Sequence, residues 1–260
     1  MSQPVTLNYK VLGEGQPVVV LHGLFGMLDN LQLFAKGLAD KDFMVFLVDQ
    51  RDHGRSPHTN EFSYPVLSED LLHFTESQWL HQTIVIGHSM GGKTTLQFLA
   101  DHPGIVTKAV IIDIGIKKYP GGHENILEAL QAVSLKDKTS REEVQSALLE
   151  KIPDLGTVLF LMKNLSRNKE NHRFEWKMNL PLLVKNYNNI LSGIKIDGEI
   201  DTDILFVRGQ LSNYIQDEDI PEIKKHFPNA QFAIIPDAGH WVHADNLPAL
   251  LSEIITFLET

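Results

Sequence analysis

Cysteine is absent from all 260 residues of this chain. That excludes disulfides, thiolate nucleophiles, zinc ribbons and iron–sulfur ligation together. Long apolar runs are missing too, since no segment approaches the roughly 18 uninterrupted apolar residues of a membrane span. The opening MSQPVTLNYK has no charged segment leading into an apolar stretch, so no secretory signal is read there. Positive charge is scarce: 23 Lys and Arg stand against 33 Asp and Glu, a formal charge of −10. With no basic stripe, binding nucleic acid through its phosphates is a poor expectation. An apolar fraction of 43% with 22% charged residues excludes a disordered chain. The expectation is a soluble cytoplasmic protein that works without thiols, and its 12 histidines are where chemistry can reside.

The length suits one α/β core carrying one insertion. Short apolar runs at Val18–Leu21, Phe43–Val48, Thr83–Ile86, Lys108–Ile112, Ile204–Val207 and Phe232–Ile235 lack strict alternation, as strands buried on both faces do. Helical patterns near 28–39, 64–80, 90–101, 216–227 and 246–258 separate them, and Val5–Leu12 reads as an antiparallel edge strand. Such alternation predicts a mostly parallel sheet with helices on both faces. The rhythm breaks between about 114 and 200, after the Tyr119-Pro120-Gly121-Gly122 turn, and no convincing strand follows. Ser140 and Glu143 have capping-box spacing before the stripe Val144, Ala147, Leu148, Ile152. The division expected is a core of 1–113 and 201–260 with an all-helical cap at 114–200.

Gly87-His88-Ser89-Met90-Gly91 is a GxSxG pattern set between a strand and a helix. In that setting the turn is strained and exposes the serine hydroxyl, while small flanking residues avoid the neighbouring strand and helix. A serine needs a general base. His240, after the last strand-like run, leaves a strand end on the same rim and is the best placed histidine. His243 follows three residues on, but a His-x-x-His metal site lacks a third ligand. His88 reads as a structural core histidine, and the others, His123 among them, as packing or solvated.

The base needs a carboxylate to fix its tautomer. The segment after the Ile204–Val207 strand, Gln210-Leu211-Ser212-Asn213, holds no acid before Asp217. Val110-Ile111-Ile112-Asp113 ends in one, so Asp113 is assigned, with a simple turn residue as its alternative. Asp237 is too close to His240 in sequence. The loop His22-Gly23-Leu24-Phe25-Gly26 then supplies one oxyanion N–H at Leu24, and Met90, after the serine, supplies the other. Acyl transfer through such a set needs no metal and no cofactor.

With these motifs in place, the chain resembles the α/β-hydrolase family over essentially its whole length. More narrowly, His22–Gly26, Arg51-x-His53-Gly54-x-Ser56-Pro57-His58, Gly87–Lys93 and Phe174–Leu180 are similar to the YbfF-type esterases, small cytosolic serine hydrolases with a helical cap. Asp52 stands where that pattern usually has glycine. The resemblance implies the acid at Asp113 and activity on small acyl esters or thioesters. Phe25, Phe160, Trp176 and Lys93 are the substrate-binding candidates, with Leu161, Met162, Met178 and Leu182 also forming an apolar roof or packing on the core. Lys163, Arg167, Lys169, Arg173 and Lys177 run against the acidic balance. They either attract an anionic leaving group such as the phosphates of coenzyme A or form a solvated face. A carbon–carbon bond hydrolase, a cofactor-free peroxidase and a non-catalytic ligand-binding scaffold use the same framework. Oligomeric state is not readable from the sequence.

Overall fold

Runs of Val, Ile, Leu and Phe pair into strands here because both faces of the sheet are covered. The computed structural model describes residues 3–260; Met1 and Ser2, which open the stretch read for a signal, lie outside the described residues. The strands are β1 (Tyr9–Leu12), β2 (Gln16–Leu21), β3 (Phe43–Val48), β4 (Thr83–His88), β5 (Val106–Ile112), β6 (Leu165–Arg167), β7 (Phe174–Trp176), β8 (Asp203–Gly209) and β9 (Ala230–Ile235). Seven of them form one sheet in the order β1-β3-β2-β4-β5-β8-β9, with β1 antiparallel at its edge and the rest parallel.

The helices in chain order are α1 (Gln32–Ala39), α2 (Tyr64–Ser77), α3 (Met90–Asp101), α4 (Glu124–Ala132), α5 (Arg141–Leu149) and α6 (Leu155–Met162). They continue with α7 (Leu180–Lys185), α8 (Tyr187–Ile190), α9 (Ile220–His226), α10 (Val242–Asp245) and α11 (Leu247–Glu259). The two-residue period of a strand sorts the core. Val18 and Val20 pack with Phe34 and Leu38 of α1 and Leu250 and Ile254 of α11. Val19 and Leu21 join Leu67 and Leu71 of α2 and Leu96 and Leu99 of α3 on the other face. Among the described residues, no helix is long and apolar enough to cross a membrane.

Parallel pairing carries four loops to one rim. Leu21 lies opposite Gly87, His88 opposite Ile112, Ile112 opposite Val207 and Gly209 opposite Ile235. The loops after β2, β4, β5 and β9 therefore leave the same edge side by side, which is where open α/β sheets hold ligands.

The chain leaves the sheet after β5 and rejoins it at β8. The intervening residues are not all helical, contrary to the expectation: β6 and β7 form a separate antiparallel pair. Each strand has three residues, too few to show alternation in the sequence, and the Arg167 guanidinium lies 4.4 Å from the centre of the Phe174 ring across the ladder. Side-chain hydrogen bonds seat this segment on the sheet domain. Asn164 Nδ2 donates to Phe25 O at 2.6 Å, and Tyr64 Oη donates to Ile190 O at 2.6 Å. Asp52 explains its place in a glycine position: its φ of 64° suits glycine, yet its carboxylate accepts from Thr59 N, Thr59 Oγ1 and Asn179 Nδ2. An aspartate there offsets backbone strain with a bond to the segment above it.

Leu250 is fully buried between α11 and the sheet. Leu250→Ala is expected to lower the unfolding free energy by about 2–5 kcal/mol, the cost of deleting a buried leucine side chain. Urea unfolding at neutral pH measures it, and a change below about 1 kcal/mol contradicts this packing.

Candidate active site

Ser89 follows β4 and caps α3 with φ 53° and ψ −116°, a conformation that non-glycine residues adopt only where the surroundings hold them. The neighbours explain how it is held. A Cβ on Gly87 would strike the carbonyl of Gly91, and one on Gly91 would lie 2.5 Å from the carbonyl of Leu21 in β2. Only glycines let the helix start this close to the sheet. Ser89 N donates to Ile112 O at 2.9 Å, which fixes the turn against β5.

The sequence-predicted groups come together in one chain of hydrogen bonds. His240 Nε2 lies 2.9 Å from Ser89 Oγ, and His240 Nδ1 lies 2.7 Å from Asp113 Oδ2. Asp113 is fully buried, so its charge needs several donors. Gly209 N donates to Oδ1 at 3.0 Å, and Ser212 Oγ donates to Oδ2 at 2.5 Å. The loop after β8 has no acid of its own in reach, but it supplies the donors that hold the acid of β5. Asp217 is exposed and paired with Arg208 at 2.6 Å, away from His240. Tyr214, two residues past Ser212, stacks on the His240 ring at 3.8 Å and 16°. Sequence reasoning missed Ser212 and Tyr214, because neither belongs to a motif and only the β5–β8 pairing brings them to Asp113.

Two cavities meet at Ser89, Leu24 and His123. The first, with about 530 Å³ of unfilled space counted to its mouth, is lined by Phe25, Phe160, Leu161, His240 and Trp241 among others. The second, about 360 Å³ on the same measure, is lined by Met90, Lys93, Tyr119 and Tyr214 among others. The N–H groups of Leu24 and Met90 have no acceptor among the described residues, and both residues border the second cavity. Phe25, Phe160 and Lys93 thus lie where the sequence reading put them, against the cavities.

Trp176 does not line either cavity. It sits in β7 opposite Leu165 and packs on the core, so its role as a substrate contact is corrected. None of Lys163, Arg167, Lys169, Arg173 and Lys177 lines the cavities at Ser89 either; Lys177 borders a separate cleft with Lys10 and Arg55. His123, read as packing or solvated, faces both cavities. Its ring and backbone N–H are held by Tyr187 Oη at 3.1 and 2.9 Å, a contact between residues 64 positions apart that no local pattern signals.

The alpha/beta hydrolase fold family matches residues 16–247. The chain is 34% identical over 246 residues to "Esterase YbfF" of Escherichia coli (strain K12), covering 94% of each. It is 33% identical over 269 residues to "sn-1-specific diacylglycerol lipase ABHD11" of Danio rerio, covering 99% of this chain and 84% of that one. The solved structure titled "Marine microorganism esterase" superposes with a TM-score of 0.95 at 41% identity, covering 97% of this chain and 99% of that one.

Burial governs the other histidines around the site. Desolvation lowers His22 to about 4 and His243 to about 4, and lowers His53 to about 3. It also holds His88 well below its ordinary value, where His88 Nε2 donates to His240 O at 2.8 Å and steadies that loop. These rings stay neutral at physiological pH. Each has a folded pKa below its unfolded one, so below pH 6.5 the unfolded chain takes up protons that the folded chain refuses. Stability is therefore full above pH 6.5 and is lost as the pH falls toward 4. His53→Gln is expected to reduce the slope of unfolding free energy against pH by up to about 1.4 kcal/mol per unit in that window. Urea titrations at several pH values read this, and an unchanged slope contradicts the assignment.

Proposed function

The chain belongs to the α/β-hydrolase family, of the YbfF type, and we propose that it is a serine carboxylic-ester hydrolase acting on short to medium acyl esters. The same chemistry extends to acyl thioesters. The observation that carries this reading is one imidazole bonded at both nitrogens, to Asp113 at 2.7 Å and to Ser89 at 2.9 Å. The names of its relatives, an esterase and a diacylglycerol lipase, agree with ester substrates.

In the proposed cycle His240 takes the Ser89 proton as Oγ attacks the acyl carbonyl. Asp113 keeps the imidazole in the required tautomer and stabilises the imidazolium. The free N–H groups of Leu24 and Met90 hold the oxyanion, where preorganised donors act most strongly. His240 then gives its proton to the departing alcohol or thiol, leaving the acyl group on Ser89. Water, deprotonated by the same imidazole, attacks that acyl-enzyme and releases the acid. The neutral rings of His22, His88 and His243 set no like charge against the imidazolium as it forms.

Residues 114–200 serve as the cap in this reading, with 1–113 and 201–260 as the hydrolase core. The division is supported by where the chain leaves the sheet and rejoins it. Phe160 and Leu161 from α6 roof the first cavity. Its apolar walls favour an alcohol or alkyl group over coenzyme A, whose phosphates would need the basic residues that lie elsewhere. A complete set of catalytic groups also favours an enzyme over a binding scaffold.

Ser89→Ala is expected to lower kcat on a short p-nitrophenyl ester by a factor on the order of 10⁶. Asp113→Asn should cost about 10⁴ through the wrong tautomer, while Asp217→Asn leaves the rate unchanged. Undiminished hydrolysis by the Ser89 variant, or a larger loss from Asp217 than from Asp113, overturns the reading.

A further inference from the structure

We propose that Lys93 is a specificity-determining residue, and that the cavity it closes receives acyl groups ending in a carboxylate. This rests on the serine-hydrolase reading and adds a substrate class to it.

The two cavities divide the substrate. In acyl transfer the leaving atom must lie within reach of the imidazole that protonates it. The first cavity is lined by His240 and therefore takes the leaving group. The second lacks His240 and runs from Ser89 past Met90 and Lys93, so the acyl chain extends into it.

The wall of this cavity includes a buried amino group without a counter-charge. Lys93 is only 1% exposed, yet it has no carboxylate within ion-pair distance among the described residues. Nζ donates to Lys117 O at 2.8 Å and to Ser192 O. It lies 5.0 Å from the Tyr119 ring centre and 5.7 Å from that of Tyr64. A lysine has three N–H donors, and two carbonyls use two of them. The third has no acceptor among the described residues.

The surrounding polar groups offer no anion. Tyr64 Oη is committed to Ile190 O and Tyr119 Oη to Tyr214 O. Burial pushes both phenols up, so they stay neutral, and His123 is lowered. Lys117, beside Tyr119, is already paired with Asp219 at 2.5 Å. Desolvation lowers Lys93 to about 7, so it is only partly charged near neutrality. An incoming carboxylate supplies the missing acceptor and the missing charge at once. Lys93 lies one helical turn, roughly 5.4 Å of rise, beyond Ser89.

Mono-p-nitrophenyl glutarate and p-nitrophenyl pentanoate differ chiefly in a carboxylate against a methyl group. The protein is expected to hydrolyse the glutarate half-ester with kcat/KM at least about tenfold higher, mostly through KM, the scale of a charge-assisted hydrogen bond. Lys93→Met should bring that ratio to one or below, a comparison made within one preparation. A ratio near one or below in the natural protein, or an unchanged ratio in the variant, overturns the proposal. Lys93 also tethers Lys117 and Ser192, so a variant that fails to fold is replaced by competition in the natural protein. Glutarate should then inhibit pentanoate hydrolysis at least about tenfold more strongly than butyrate does, and equal inhibition overturns the proposal. A fluorophosphonate probe separates the two readings: Ser89 unlabelled means the hydrolase reading fails, whereas labelling with no carboxylate preference means only this inference fails.

Discussion

A single buried charge organises this molecule. The Asp113 carboxylate sits at the end of β5 with no exposure to water, and three groups from two other segments converge on it. Removing any one of the three leaves a buried charge short of a donor, which is costly in a low-dielectric interior. Satisfying it requires β8 to lie beside β5 in the observed register, because Gly209 and Ser212 reach the carboxylate only from there. It also requires the loop after β9 to return His240 to the same rim. The β5–β8 register, the return of the chain after its long excursion, and the position of the proposed base meet at this one carboxylate.

The same economy of charge appears around it. His22, His53, His88 and His243 crowd the rim, yet burial keeps each ring neutral. Two of them act as hydrogen-bonding wedges: His22 links the loop after β2 to Gln50, and His88 fixes the carbonyl of His240. The segment between β5 and β8 is attached in a similar way, through Asn164, Asn179 and Lys93 donating to carbonyl or carboxylate oxygens of the other layer or of its own roots. Hydrogen bonds from polar side chains set the geometry over the rim that apolar packing alone would leave free to slide.

Much of this was legible in the sequence, and for identifiable reasons. Strands buried on both faces announce themselves as unbroken apolar runs, and the elbow announces itself because glycine at 87 and 91 is the condition for bringing helix and sheet so close. His240 and Asp113 could be chosen because both follow strands that must end on one rim. What the sequence withheld depends on contacts between distant segments. Ser212 and Tyr214 lie in a loop whose lack of an acid made it look irrelevant, and His123 faces the cavities only because Tyr187 holds it there. The short β6–β7 pair and the inward packing of Trp176 were illegible for a different reason, since three-residue strands carry no periodicity. The family resemblance marked Asp52 as a departure from glycine, but its bond to Asn179 is a feature of the folded chain alone.

The central claim is that acyl transfer passes through a covalent ester on Ser89. It is tested most directly by mixing the protein with p-nitrophenyl acetate, quenching in acid within the first turnover, and weighing the peptides. The account predicts an added acetyl group on the peptide bearing Ser89, which disappears as turnover completes. Turnover with no adduct on that peptide, or with the acetyl group on another residue, would contradict it.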